Sequence, residues 1–184
     1  MHHNGIGPSR EDDSHVDAAR TNPAAFAPLY EKYNVQIYRW FYRETGNAET
    51  AADFTAQVFV QALQNLHRYQ PQKSASFRSW LFAIGRNLIR DAWRSYRPPN
   101  PVLENIDAEP GPEEIAIHRS EMDELRANIA HLPERQREIV ELRLSGLSML
   151  EIAEIQESTE NAVKVAQTRA FRTLRAKMTE GAAK

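Results

Sequence analysis

Apolar residues recur along this chain at helical rather than strand spacing. Between residues 76 and 97 (SFRSWLFAIGRNLIRDAWRSYR), Leu81, Ile84, Leu88 and Ala92 return every three or four positions, which predicts an amphipathic helix with that stripe toward a core. Two further stripes share the cylinder: Arg86, Arg90, Arg94 and Arg97, and beside them Phe82, Ile89, Trp93 and Tyr96. Guanidinium groups bind phosphate, and aromatic faces stack on unpaired bases. One helix thus offers a core face, a phosphate face and stacking surfaces. A solvated basic face over a two-sided core helix accounts for the same pattern.

The same spacing organises the rest. Asn22 and Pro23 form a cap and first-turn proline, after which Phe26, Leu29, Tyr30, Tyr33, Ile37, Tyr38 and Phe41 keep helical register to about Glu44, and Gly46 ends the run. A second helix spans about residues 48–66, with Ala52, Val58, Phe59, Ala62, Leu63 and Leu66 as its apolar face. Pro71 and small polar residues make 67–76 a loop. The prolines at 98, 99 and 101 stop the organising helix. Beyond a linker through Gly111 and Pro112, a helix over about 113–130 carries Ile115, Ile117, Met122, Leu125 and Ile129. Leu132 and Pro133 interrupt it, and Ile139, Val140, Leu142 and Leu144 lead to a stop at Gly146. Ser148 and Glu151 have capping-box spacing and start a short helix to Ile155. Gln156, Glu157 and Ser158 make a turn, and Ser158 or Thr159 caps a last helix to about Lys177. Short helix, tight turn and long helix make a helix-turn-helix. The last helix holds Lys164, Arg169, Arg172, Arg175 and Lys177 against one acid, Glu160.

The expected fold is all-α: two small helical domains, 22–97 and 113–178, joined by an acidic linker over 98–112. Residues 1–21, polar and unpatterned, are expected to be disordered, as is the tail 179–184. A net charge of −2 over 184 residues conceals the distribution. Residues 22–97 hold ten basic and five acidic groups, residues 98–125 one and eight, and residues 126–184 ten and eight. Two basic-leaning blocks around an acidic strip are what separate nucleic-acid contacts joined by a linker look like. There is no cysteine, so disulfides, thiolate metal sites and thiol nucleophiles are excluded. That suits a reducing cytoplasm, as does the lack of an apolar leader or membrane-length apolar run. Six scattered histidines show no helical H-x-x-x-H pair and Gly-rich phosphate loops are absent, so neither metal nor cofactor is expected.

Several strings carry a resemblance. Phe77-Arg78-Ser79-Trp80-Leu81, then Arg86-Asn87-Leu88 and Asp91, resemble the promoter-melting helix of extracytoplasmic-function sigma factors, small bacterial RNA polymerase subunits built from regions two and four. Leu132-Pro133 with Arg137-Glu138, then Gly146-Leu147-Ser148, Glu151-Ile152-Ala153, Ala162-Val163-Lys164 and Arg169-Ala170, resemble region four. The family's usual Gly-Thr-Val-Lys-Ser-Arg is here Asn161-Ala162-Val163-Lys164-Val165-Ala166, a change that bears on which bases are read. Its Asp-Leu-Thr-Gln-Glu docking motif is here Asp53-Phe54-Thr55-Ala56-Gln57. The resemblance implies that Asp53, Thr55 and Gln57 dock core polymerase at the β′ clamp helices. It implies that Trp80, Arg86, Asn87, Arg90 and Arg94 engage the minus-ten element, with one base flipped into a pocket made by the 67–76 loop and the helix after it. Trp80 fits a pocket wall or plain core equally. Thr159, Glu160, Lys164, Val165, Thr168, Arg169 and Arg172 are implied at the minus-thirty-five element, with the β flap as a further polymerase contact.

The function expected is therefore a polymerase specificity subunit without catalysis of its own, with core polymerase and promoter DNA as partners and, as in many relatives, an anti-sigma factor. A stand-alone helix-turn-helix regulator is the alternative. It would need a dimer to gain affinity, and the sequence offers no obvious dimer seam. A nucleic-acid-processing enzyme has no paired carboxylates or activated nucleophile to support it.

Overall fold

The computed structural model describes residues 10–70, 76–95 and 125–181. Over these the chain is helical, with no strand: α1 (Arg10–Thr21), a 3-10 turn (Pro23–Phe26), α2 (Ala27–Thr45), α3 (Ala48–Gln64), a second 3-10 turn (Leu66–Arg68), α4 (Phe77–Ser95), α5 (residues 125–130), α6 (Glu134–Leu144), α7 (Met149–Ile155) and α8 (Glu160–Gly181). The all-α expectation holds. Tyr96, Arg97, the linker at 98–112 and the expected helix over 113–124 lie outside the described residues, as does the loop segment 71–75.

The breaks between helices follow local chemistry. Gly46 takes a left-handed φ of 65° and donates its N–H to the Tyr42 carbonyl, closing α2. Asn47 then caps α3, its Oδ1 accepting from the Thr50 N–H at 2.8 Å. Such a cap satisfies one of the N–H groups that a helix start leaves unpaired. Ser148 and Glu151 form the expected capping box on α7, and Thr159 caps α8 by accepting from the Ala162 N–H.

The first unit packs Leu29, Tyr33, Ile37, Trp40 and Phe41 of α2 against Ala51, Val58, Phe59 and Ala62 of α3 and Phe77, Leu81, Phe82 and Ile89 of α4, all buried. The core face of α4 therefore differs from the expected one. Leu81 belongs to it, but Ile84, Leu88 and Ala92 are only half-buried, and Phe82 and Ile89, expected as stacking surfaces, are core. The reason is Gly85. A Cβ there would lie 2.6 Å from the Trp40 ring and 3.0 Å from that of Phe41, so glycine lets α2 and α4 approach, and the core centres on Leu81, Phe82, Gly85 and Ile89. Ala52 and Leu63 of α3 and Tyr30 of α2 are likewise exposed rather than core.

Two ends depart from expectation. Residues 10–21 are not a disordered lead-in but helix α1, which buries Val16, Ala19 and Asp12. Its apolar stripe is only two residues deep, and it is fastened instead by polar contacts. Asp12 accepts from Lys32 Nζ at 2.5 Å and from the Tyr33 hydroxyl at 2.6 Å. Arg20 donates to the Tyr69 carbonyl. At the other end, α8 runs past Lys177 to Gly181.

The second unit is the trio α6, α7 and α8. Ile129, Leu132, Val140, Ala170 and Leu174 form a small cluster of their own. Leu142, Leu147, Ile152, Ala153, Ile155 and Val163 instead join the core of the first unit in one continuous cluster. The two helical units are thus packed together through α4, α2, α6 and α7.

Candidate nucleic-acid interface

Helix α8 buries Val163, Ala170 and Leu174. At 3.6 residues per turn, Lys164, Val165, Thr168, Arg169 and Arg172 fall on the opposite side, and all five are exposed. The five residues thus share one face of one helix, and among the described residues Lys164, Arg169 and Arg172 form no ion pair. Glu160 is exposed in the first turn. Thr159 serves as the α8 cap, and the Thr168 hydroxyl donates back to the Lys164 carbonyl at 2.9 Å. Ser158, the other candidate cap, accepts from Arg135 instead.

Helix α4 divides its basic stripe. Asn87, Arg90 and Arg94 are exposed, with Arg94 3.9 Å from Asp91. Arg86 differs from them in being half-buried and engaged within the chain. Its Nε donates to the Glu138 carboxylate of α6, and its Nη1 to the Ile155 carbonyl at 3.2 Å. Trp93 lies under the Arg137 guanidinium, 4.8 Å from ring centre to cation. Trp80 is half-buried in an aromatic group with Tyr69 and Phe77, at centroid distances of 5.3 and 5.6 Å. Between α2, α4 and the second unit opens a cleft of about 400 Å³, lined by Trp40, Glu44, Arg86, Arg90, Trp93 and Arg137 among others.

On α3, Asp53 and Gln57 share an exposed edge. Thr55 does not. It is buried, and its hydroxyl donates to the Ala51 carbonyl one turn back at 2.7 Å. Val60 and Leu63 continue the exposed edge with apolar surface.

Two carboxyls are strongly conditioned by their surroundings. Burial pushes the Glu151 carboxyl up, but Arg78, the Ser148 N–H and the Ser76 hydroxyl together outweigh it and hold it below the usual carboxylate range. Burial, followed by the nearby Glu141 charge, pushes Glu44 up to about 8. Among the described residues no cluster of three or more His, Asp or Glu could hold a metal ion, and no helix is long and apolar enough to cross a membrane.

Sequence reasoning missed Gly85, Trp40, Asp12 and the acidic side chains that meet the first unit. Only Gly85 left a signal, since a mid-helix glycine costs stability unless close packing requires it. The others act through contacts distant in sequence.

The first unit is helical and the second holds a helix-turn-helix, and each presents an exposed polar helix face. Residues 29–98 match the family model for sigma-70 region 2, and residues 122–174 that for sigma-70 region 4. The chain belongs to the extracytoplasmic-function RNA polymerase sigma factors. It is 34% identical to BldN of Streptomyces coelicolor over 86% of this chain and 62% of BldN, so it spans under two thirds of that relative's length. It is 32% identical to RpoE of Cereibacter sphaeroides over 67% of this chain and 68% of RpoE. The solved structure of CnrH in complex with the cytosolic domain of CnrY covers 90% of this chain and 95% of CnrH, with a TM-score of 0.69 at 24% identity, a likeness of fold.

Proposed function

We propose that this chain directs core RNA polymerase to promoters, acting in the cytoplasm without catalysis of its own. The exposed edge of α3, with Asp53 and Gln57, docks the β′ clamp helices. Asn87, Arg90 and Arg94 of α4 engage the minus-ten element, and the exposed face of α8 reads the minus-thirty-five element, while the second unit contacts the β flap. An anti-sigma factor is a fitting partner, since CnrH is known in complex with a cytosolic domain of CnrY. The observation that carries the reading is the single exposed face of α8 formed by Lys164, Val165, Thr168, Arg169 and Arg172, beside a second exposed polar face on α4. A lone helix-turn-helix regulator has no use for the latter.

Run-off transcription with core polymerase and a library of upstream fragments tests this, with two variants on the selected promoter. A bidentate base contact is worth about 1–3 kcal/mol of discrimination. Arg169→Ala should therefore cut transcript severalfold when the minus-thirty-five element is intact and change little when it is scrambled. Asn87→Ala should reduce transcript on both templates. No specific transcript from any fragment, or the same response of both variants to scrambling, would refute the assignment.

A further inference from the structure

Helix α8 presents its donors and its carbon on different parts of one face. Lys164, Arg169 and Arg172 are exposed, and so is Val165 among them. A lone exposed valine is ordinary on a protein surface. This one borders an open depression of about 360 Å³ between α8 and the start of α6, together with Ala162 and Ala166. At about 100° per residue, Ala162, Val165, Ala166 and Arg169 fall within a single arc of α8. Pro133 and Gln136, at the start of α6, form the opposite wall. Both alanines are half-buried, and a longer side chain at either position would fill the space.

The polar groups nearby are spent or of one kind. The Thr168 hydroxyl donates to the Lys164 carbonyl, and Arg135, at the rim, donates to the Ser158 hydroxyl at 2.7 Å. The Gln136 Oε1 is buried with no hydrogen-bond partner among the described residues, and a lone acceptor repels the oxygens of a phosphate. What remains is a carbon-lined hollow on the side of the helix that carries Lys164 and Arg169. Of the groups that base pairs display in the major groove, only the C5-methyl of thymine is apolar. Three of the chain's four departures from the Gly-Thr-Val-Lys-Ser-Arg pattern fall at this spot. Ala162, Val165 and Ala166 stand where that pattern has Thr, Ser and Arg, three polar side chains exchanged for carbon.

We propose that Val165, flanked by Ala162 and Ala166, seats the C5-methyl group of one thymine of the minus-thirty-five element and makes the chain select thymine over cytosine at that position. Lys164 and Arg169 beside it supply the polar contacts that fix register, and the valine reads a group that neither of them can. Cytosine offers only a C–H at that place and leaves the hollow unfilled. The hollow has room for the methyl and the ring edge that bears it, and burying one such carbon is worth about fourfold in affinity. This rests on the reading of α8 as the minus-thirty-five helix, and adds which base it asks for.

The test uses the holoenzyme, core polymerase with the full chain, on the promoter selected by run-off transcription. Each thymine of the minus-thirty-five element, on either strand, is replaced in turn by deoxyuridine, which removes the methyl and nothing else. At one position the holoenzyme concentration giving half-maximal transcript should rise about fourfold. A cytosine at that position should weaken the promoter further, and 5-methylcytosine should recover part of the loss. Val165→Ala should respond to thymine and deoxyuridine alike, and so should Ala166→Arg, whose long side chain fills the hollow. Circular dichroism with the parent's helix content shows that both variants are folded, and the deoxyuridine series on the parent needs neither of them. Tolerance of deoxyuridine at every position, an undiminished deoxyuridine penalty in Val165→Ala, or a selected element with no thymine on either strand overturns the methyl seat and leaves the sigma-factor reading in place. Absence of a specific transcript from every fragment overturns both.

Discussion

Glu157 holds a φ of 50° in the turn between α7 and α8, the one non-glycine among the described residues in the left-handed region. A side chain there carries a steric penalty that glycine avoids. Glu157→Gly should raise stability by about 0.5–1 kcal/mol, the penalty relieved less what glycine returns to the unfolded chain, as read from urea denaturation. Gly85 is the converse. With the Trp40 ring 2.6 Å from where a Cβ would sit, Gly85→Ala should cost about 1–3 kcal/mol through overpacking and shift the near-ultraviolet signal of Trp40. Single positions were legible in the sequence where they act on their neighbours in the chain, as Gly46, Ser148 and Thr159 do. The surroundings of Arg86 and Thr55 were not legible in this way, because each is engaged by a partner that spacing does not name: Glu138 from another helix, and the Ala51 carbonyl one turn back.

At the scale of elements, period and punctuation located α2, α3, α4, α6, α7 and α8, while the five exposed residues of α8 were named only through the resemblance. They did not reveal α1. Two buried apolar residues give no period to detect, and the helix owes its place to Asp12, whose partners Lys32 and Tyr33 belong to α2. Burial and that hydrogen bond push the Tyr33 phenol well above its ordinary range, so it stays a donor. Asp12→Ala should therefore lower stability by about 1–3 kcal/mol, the cost of deleting a buried charged acceptor. Hydrogen exchange over residues 10–21 should rise before that of α2 and α3. Equal protection of α1 in parent and variant would show that Val16 and Ala19 suffice. The core face of α4 was misassigned for a related reason: Leu81, Ile84, Leu88 and Ala92 fit a helical period as well as Leu81, Phe82, Gly85 and Ile89 do, and only the approach of Trp40 chooses between them.

For the whole molecule, the packing of the two units ties stability to pH from both ends. Glu44 is raised to about 8 by burial and by Glu141, with Glu138 adding to the effect and Arg137 and Arg43 opposing it. A raised carboxyl contributes stability that is fully present below its unfolded value of 4.5 and lost as pH rises through about 8. Glu151 is lowered, so its contribution is present above its unfolded value of 4.5 and lost as pH falls through its depressed value. Glu44→Gln removes the alkaline loss. Its melting temperature should match that of the parent near pH 4 and exceed it at about pH 9, by the equivalent of a few kcal/mol at most. Parallel curves for the two proteins across that range would mean that Glu44 is not raised in the folded protein. None of this was visible in the sequence, because charge blocks along a chain do not say which acid will face which base.

The continuous hydrophobic cluster running from Val16 to Val163 has one more consequence. If Leu147, Ile152 and Ile155 find their core in the first unit, covalent continuity between the units is not what keeps them together. The polypeptide should then tolerate being made as two pieces, residues 1–110 and 111–184, that copurify from one cell and melt as a single species. Their mutual affinity would give the strength of the closed state as a dissociation constant, a quantity that an unbroken chain hides.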